Sequence, residues 1–190
     1  MKAKHTKSAL FVFMMLLGAG GVAHAATVSP ATLLQKGTHE LNLQGLVDFD
    51  AEDKYKIDLN AKYGYFVAQG WEVGTNIVTD LSRHYKSGGI GIFTEYNFVN
   101  STNFVPYVGI GTELMRGNYS DNRDDKFESD SFNATAMNFK TNLGGKYFIS
   151  QNVALTAEVN YNIATDRFKV TGGDAKRSFT KFLIGTSFYF

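Results

Sequence analysis

Residues 179–190 read FTKFLIGTSFYF, and their alternation decides the fold. Counting back from Phe190, the alternate positions Phe188, Thr186, Ile184 and Phe182 are aromatic, aliphatic or β-branched, while Ser187 and Gly185 between them are small. A period of two is the mark of a strand with one apolar face. In a soluble domain, a strand ending on Phe188-Tyr189-Phe190 would leave a greasy, unpaired edge open to aggregation. In a bilayer, lipid solvates that face and closure of the sheet removes the edge. The stretch therefore predicts a closed barrel, provided the chain supplies the other strands.

Working back from it, period-two runs fill the chain from Glu40 onward. The cleanest sets Tyr55, Ile57, Leu59, Ala61, Tyr63 and Tyr65 against Lys56, Asp58, Asn60, Lys62 and Gly64. Similar runs occupy 41–49, 71–80, 90–98, 107–114, 135–147 and 153–162. With the closing stretch they predict an all-β fold, an eight-stranded antiparallel up-and-down transmembrane β-barrel. Strands of about 9–11 residues in even number suit the smallest class of membrane barrel.

The connections alternate in kind. Tyr65-Phe66-Val67-Ala68-Gln69 is matched in pattern by Tyr147-Phe148-Ile149-Ser150-Gln151, and Tyr96-Asn97-Phe98 leads to Phe104 across a slightly longer turn. These tight turns fall at the same end as Phe190. They predict an aromatic belt of Tyr65, Phe66, Trp71, Tyr96, Phe98, Tyr147 and Phe148. The opposite connections are polar, and two are long, 116–131 and 164–177. Short turns on one rim and long loops on the other match periplasmic turns and extracellular loops.

The N-terminus has Lys2, Lys4 and Lys7, an apolar run from Ala9 to Leu17, and then Ala23-His24-Ala25. That is the three-part pattern of a secretory signal peptide, with cleavage expected after Ala25. The run is too short, and too interrupted by glycine, for a spanning helix of roughly 20 apolar residues. The expected organisation is thus a signal peptide at 1–25, a periplasmic lead-in at 26–38 and a barrel at 39–190. Removing the three lysines leaves 16 basic residues against 18 acidic ones, a formal charge of −2, with no basic field for nucleic acid. The chain has no cysteine, which excludes disulfides, thiol catalysis and thiolate metal sites.

Alternation alone does not say which face is out. A soluble lipocalin-type barrel would hold its apolar set inward around a ligand. The aromatic turn rim, the terminal Phe190 and the asymmetry of the connections favour the inverted arrangement, with charges inside. A barrel of eight strands has room for side chains and little else, so interior ions must pair with one another. Register from the tight turns predicts an acid–base–acid cluster of Asp48, Lys56 and Asp80, Lys140 diagonal to Glu158, and Phe93 facing Gly109.

Chemistry beyond this is sparse. His5 and His24 lie in the signal peptide, His39 begins the first strand and His84 sits in Ser82-Arg83-His84-Tyr85. Neither His39 nor His84 has a serine and an acid at a spacing that puts all three on one strand face, so no lipid-acyl transfer or hydrolase site is expected. The loop Asp121 to Asp130 lacks the central Gly and closing Glu of an EF-hand and reads as a solvated loop. No cofactor or metal is expected.

Gly64-Tyr65-Phe66, Trp71-Glu72-Val73-Gly74 and Pro106-Tyr107-Val108-Gly109-Ile110-Gly111 together resemble the small outer-membrane β-barrels of Gram-negative bacteria, the OmpA-like and OmpX-like barrel domains. The resemblance implies placement in the outer membrane among its lipid and lipopolysaccharide. It also implies recognition of the closing strand, through Phe182, Ile184, Phe188 and Phe190, by the barrel assembly machinery. The role expected is that of a monomeric structural or adhesin-like protein acting on an extracellular partner through its loops. The alternative is a narrow channel for ions or small solutes.

Overall fold

The computed structural model describes residues 30–48, 56–82, 85–119, 132–166, 169–171 and 174–190. A one-turn helix, α1 (Pro30–Leu33), precedes β1 (His39–Asp48), β2 (Lys56–Ala68), β3 (Trp71–Ser82), β4 (Tyr85–Asn97), β5 (Phe104–Tyr119), β6 (Phe132–Ser150) and β7 (Val153–Ala164). A small hairpin of β8 (Lys169–Thr171) and β9 (Asp174–Lys176) stands in the last long connection, and β10 (Ser178–Tyr189) closes the sheet. The order is β1-β10-β7-β6-β5-β4-β3-β2, a closed barrel in which every neighbour is antiparallel. The stretch 179–190 is the seam: Leu41 pairs with Phe188 on one side and Val153 pairs with Phe188 on the other.

Period two becomes an inside and an outside. Ile77, Ile90, Ile92, Ile110, Leu114, Leu143 and Phe182 stand on the outer face, each more than half exposed. Lys62, Glu72, Glu95, Glu113, Lys140, Lys146 and Glu158 are buried inside. This is the reverse of a lipocalin, and an apolar outer wall of this extent requires lipid as its solvent.

The short-turn end departs from the expected belt. Trp71, Tyr96, Phe98 and Tyr147 are exposed on its outer face, joined by Phe104, and Tyr65 is half-buried. Phe66 and Phe148 are fully buried and point inward. The aromatic-rich stretches suggest turns at both, whereas β2 runs on to Ala68 and β6 to Ser150, so the in-out parity of the strands still applies to them. The reversal itself is confined to Gln69-Gly70, where Gly70 adopts φ +70°, a left-handed conformation that favours glycine. A Cβ there would also lie 2.4 Å from the Asn97 carbonyl oxygen.

The segment before β1 has a structure that alternation could not reveal. Leu34 follows α1 and inserts into the short-turn mouth of the barrel, where it packs in a buried cluster with Phe66, Val105, Phe148, Ala154 and Tyr189. It is held by backbone bonds as well: Gly70 N–H donates to the Leu34 carbonyl (2.7 Å), and Gly37 N–H donates to that of Phe66 (3.0 Å). At the long-loop end a second apolar cluster, Val78, Tyr85, Met115, Ala134, Ala136 and Ala164, lines the lumen.

Candidate functional site

The candidate site is the lumen, because parity places nearly all of the buried charge there. Its lysines sit at successive heights, each answered by carboxylates from other strands. Nearest the short turns, Lys146 bonds Glu40 (2.6 Å) and Glu72 (3.4 Å), and Ser187 donates to the other oxygen of Glu40 (2.7 Å). Above it, Lys62 reaches across the lumen to Glu95 (2.5 Å) and Glu158 (2.6 Å). Tyr107 donates its hydroxyl to Glu158 (2.8 Å), and Asn142 donates to Glu95 (2.7 Å).

Higher still, Lys140 bonds Glu113 (2.6 Å), whose carboxylate also accepts from Asn76 (2.7 Å) and Asn138 (2.8 Å). At the top, Lys181 of the closing strand bonds Asp80 (2.5 Å) and Asp58 (3.3 Å). Aromatic faces complete the cation sites: Lys62 Nζ lies 5.3 Å from the Phe93 ring centre, and Lys146 Nζ lies 5.1 Å from that of Tyr107. Such satisfaction is what a buried ion requires, since an unpaired one costs several kcal/mol.

Interior glycines make room for these long chains. Tyr107 lies flat over Gly144, where a Cβ would come within 2.4 Å of its Cζ and 2.5 Å of its hydroxyl oxygen. Gly144→Val should therefore push Tyr107 off Glu158 and lower the stability of the folded barrel by about 1–3 kcal/mol. Urea unfolding in detergent micelles measures this, with Gly88→Ser as the comparison, on the outer face where a Cβ meets only the Val78 carbonyl oxygen at 3.7 Å.

The predicted interior residues are brought together differently from expectation. Asp48 does pair with Lys56 across β1 and β2, but Lys56 stands opposite Ser82, and it is Asp58 that stands opposite Asp80. The side chains of Asp48 and Lys56 lie outside the described residues. A cation on Asp80 is Lys181, brought there by barrel closure, which local register cannot show. Lys140 pairs with Asn162, whereas Glu158 pairs with Gly144, four residues along β6. The expected diagonal is thus replaced by a Lys140–Glu113 bond and a Lys62–Glu158 bond. Phe93 stands opposite Gly111 rather than Gly109, two residues from the expected position, and leans over Gly74. Glu40, Lys62, Glu72, Glu95, Glu113 and Lys146 were missed as partners. The signal available for them was parity, since each alternates with outward apolar residues.

Of the histidines, His39 stacks on Phe190 with ring centres 5.7 Å apart, and its Nδ1 lies 2.8 Å from the Tyr63 hydroxyl. His84 lies outside the described residues. Among the described residues no cluster of His, Cys, Asp or Glu is arranged to hold a metal ion.

The Leu34 cluster fills the short-turn end and the Val78–Met115 cluster lines the other. Between Asp58, Asn60, Glu113, Lys140, Asn160 and Lys181 there is a void of about 20 Å³, enough for about one water molecule.

A closed eight-stranded antiparallel barrel, apolar outside and ion-paired inside, with short turns on one rim and long connections on the other, defines a small outer-membrane β-barrel. The family model of the Opacity family porin protein matches residues 47–180, and the chain belongs to that family. The protein is located in the cell outer membrane. No curated protein sequence matches the chain. Among solved structures it is similar to the N-terminal β-barrel domain of Pseudomonas aeruginosa OprF, with 17% identity and a TM-score of 0.51, over 82% of this chain and 98% of that one. It is also similar to Neisserial surface protein A, with 14% identity and a TM-score of 0.53, over 79% of this chain and 92% of that one. At such identities the likeness concerns the fold. The short-turn rim is accordingly the periplasmic one and the long loops are extracellular.

Proposed function

We propose that the protein is a non-catalytic, monomeric surface barrel that acts through its extracellular loops as a structural or adhesin-like protein. The observation that carries this reading is the lumen: its ions bind one another, and apolar side chains occupy both of its ends. A lumen so filled leaves the loops as the part able to meet a partner. On this reading, residues 1–25 are a cleaved signal peptide and the outward row Phe182, Ile184, Phe188 and Phe190 is read by the assembly machinery. Deleting Phe190 should reduce the heat-modifiable barrel recovered from outer membranes several-fold. Undiminished recovery would remove the assembly role from that row.

The experiment for the main reading pairs two measurements. Purified barrel should give no steady conductance in planar bilayers, and deletion of 121–130 should abolish binding to a host-cell or matrix surface while leaving heat-modifiability intact.

The second reading is a narrow channel, favoured by the porin description of the family and by the lumen's charge. Among the described residues the carboxylates of Glu40, Asp58, Glu72, Asp80, Glu95, Glu113 and Glu158 outnumber the ammonium groups of Lys62, Lys140, Lys146 and Lys181. Steady, cation-selective conductance would establish it in place of the first.

A further inference from the structure

The outer face of the barrel is nearly free of charge. Among the residues of the eight barrel strands whose side chains are described, the outward positions that carry an ammonium or guanidinium group are Lys86 on β4 and Arg116 on β5, and both are exposed. They are neighbours: Lys86 pairs with Asn118 and Gly88 with Arg116, so the two cations stand one diagonal step apart. At that step backbones are separated by about 7–8 Å, a span that two long side chains easily close onto one tetrahedral anion. Neither has an acidic partner among the described residues. The exposed Thr135, which pairs with Arg116 on β6, extends the polar patch.

Their height is as informative as their adjacency. Tyr96, in the periplasmic aromatic rim, is ten residues from Lys86 along β4. With a rise of about 3.4 Å per residue and a tilt of about 40°, that is roughly 26 Å along the membrane normal, close to the apolar height of about 25 Å for such barrels. On β4 and β5 the last outward apolar residues are Ile90 and Leu114, and Arg116 and Lys86 follow directly above them, with Leu81 of β3 opposite Lys86. A cation on the lipid face costs about 2–4 kcal/mol at the midplane and about 0–1 kcal/mol near the interface, so this is a height at which one is tolerated. It is also the height of the outer-leaflet headgroups. Their phosphates offer charge complementarity, and the apolar wall below accepts the acyl chains of the same molecule.

We propose that Lys86 and Arg116 form a binding site for the phosphates of the phosphorylated glycolipid of the outer leaflet, the lipid A moiety of lipopolysaccharide. The site depends on placement in the outer membrane and not on any property of the loops. Arg116 supplies a planar fork able to bind two phosphate oxygens, and Lys86 a point charge beside it. The adjacency of Lys86 and Arg116 on one pair of strands, with the exposed Arg177 standing three strands away beside β10, is what marks a discrete two-cation site.

The test is titration of the full folded chain in micelles with bis-phosphorylated lipid A, with the same lipid A dephosphorylated, and with phosphatidylglycerol, read by native mass spectrometry. Wild type should prefer phosphorylated lipid A about tenfold over either of the others. Lys86→Gln/Arg116→Gln should lose that preference, and Lys86→Arg/Arg116→Lys should keep most of it, with heat-modifiable migration reporting an intact barrel. Equal binding of the phosphorylated and dephosphorylated forms by wild type overturns the proposal without recourse to any variant. An undiminished preference in the double glutamine variant also overturns it. Phosphatidylglycerol bound as tightly as lipid A overturns the assignment to the glycolipid.

Discussion

Lys62→Met should lower the unfolding free energy of the barrel by about 3–5 kcal/mol, the usual consequence of leaving buried carboxylates without their cation. Lys62 bonds two carboxylates from other strands, Glu95 of β4 and Glu158 of β7, at 2.5 and 2.6 Å. Both acids are buried. Methionine keeps the volume and removes the charge, so packing changes little and the electrostatic loss dominates. Urea unfolding in micelles, followed by fluorescence of the single tryptophan, Trp71, measures it. Adding Glu158→Gln should recover part of the loss, because one of the two orphaned charges then disappears. Lys140→Met should cost less than Lys62→Met, since Glu113 would keep its bonds from Asn76 and Asn138. A Lys62→Met barrel within about 1 kcal/mol of wild type would mean that water or a counter-ion replaces the lysine at no cost, and the lumen would have to be treated as permeable.

The difference between Lys62 and Lys56 shows how far a sequence reaches into such a fold. Both lie on the polar side of the cleanest alternating run, and parity is sufficient to turn Lys62 inward. Parity is local: it follows from the pleat of one strand, and it locates the seam and the eight strands, while the aromatic rim and the asymmetry of the connections choose which face is out. Neighbour register is only slightly less local, which is why the Asp48–Lys56 pairing follows from the chain. The bonds that organise the lumen are of a third kind. Lys62 on β2 meets Glu158 on β7, and Lys181 on β10 meets Asp80 on β3, in both cases across the barrel. Such pairs depend on the stagger of the closed sheet, which no pair of adjacent strands determines. The errors at Phe93 and at Lys140 lie instead in the register of neighbouring strands, where an offset of two residues preserves the facing of every side chain and changes all the partners.

The turns misled for a different reason. Phe66 and Phe148 stand in aromatic-rich stretches next to Tyr65 and Tyr147, and aromatic residues at a membrane rim suggest a belt. Each pair instead splits, one ring outward and one inward, because the strand continues through it. The inward rings have a purpose that emerges only with Leu34, from a segment with no period at all: together they form the apolar floor of the lumen.

That floor gives the other large expectation. Leu34→Asp should detach the segment 30–38 from the periplasmic mouth and lower stability by about 2–5 kcal/mol, the range for losing a fully buried leucine. Leu34 is 0% exposed, in a cluster whose one polar side-chain atom is the Tyr189 hydroxyl, too little to replace the hydration of a carboxylate. Release of the segment would break the bonds from Gly70 N–H to Leu34 and from Gly37 N–H to Phe66. Lys36, exposed beside them, then becomes a ready tryptic site. Cleavage after Lys36 in purified barrel should be at least tenfold faster in Leu34→Asp than in wild type, whereas Leu34→Met should behave as wild type. Conductance recorded on the same variant separates two roles for the segment. If Leu34→Asp conducts and wild type does not, Leu34 is the seal of the lumen. If neither conducts, the ion-paired layers of Lys146, Lys62 and Lys140 close the barrel by themselves, and the plug serves only to anchor the start of β1 against the closing strand, where His39 N–H donates to the Phe190 carbonyl at 2.8 Å.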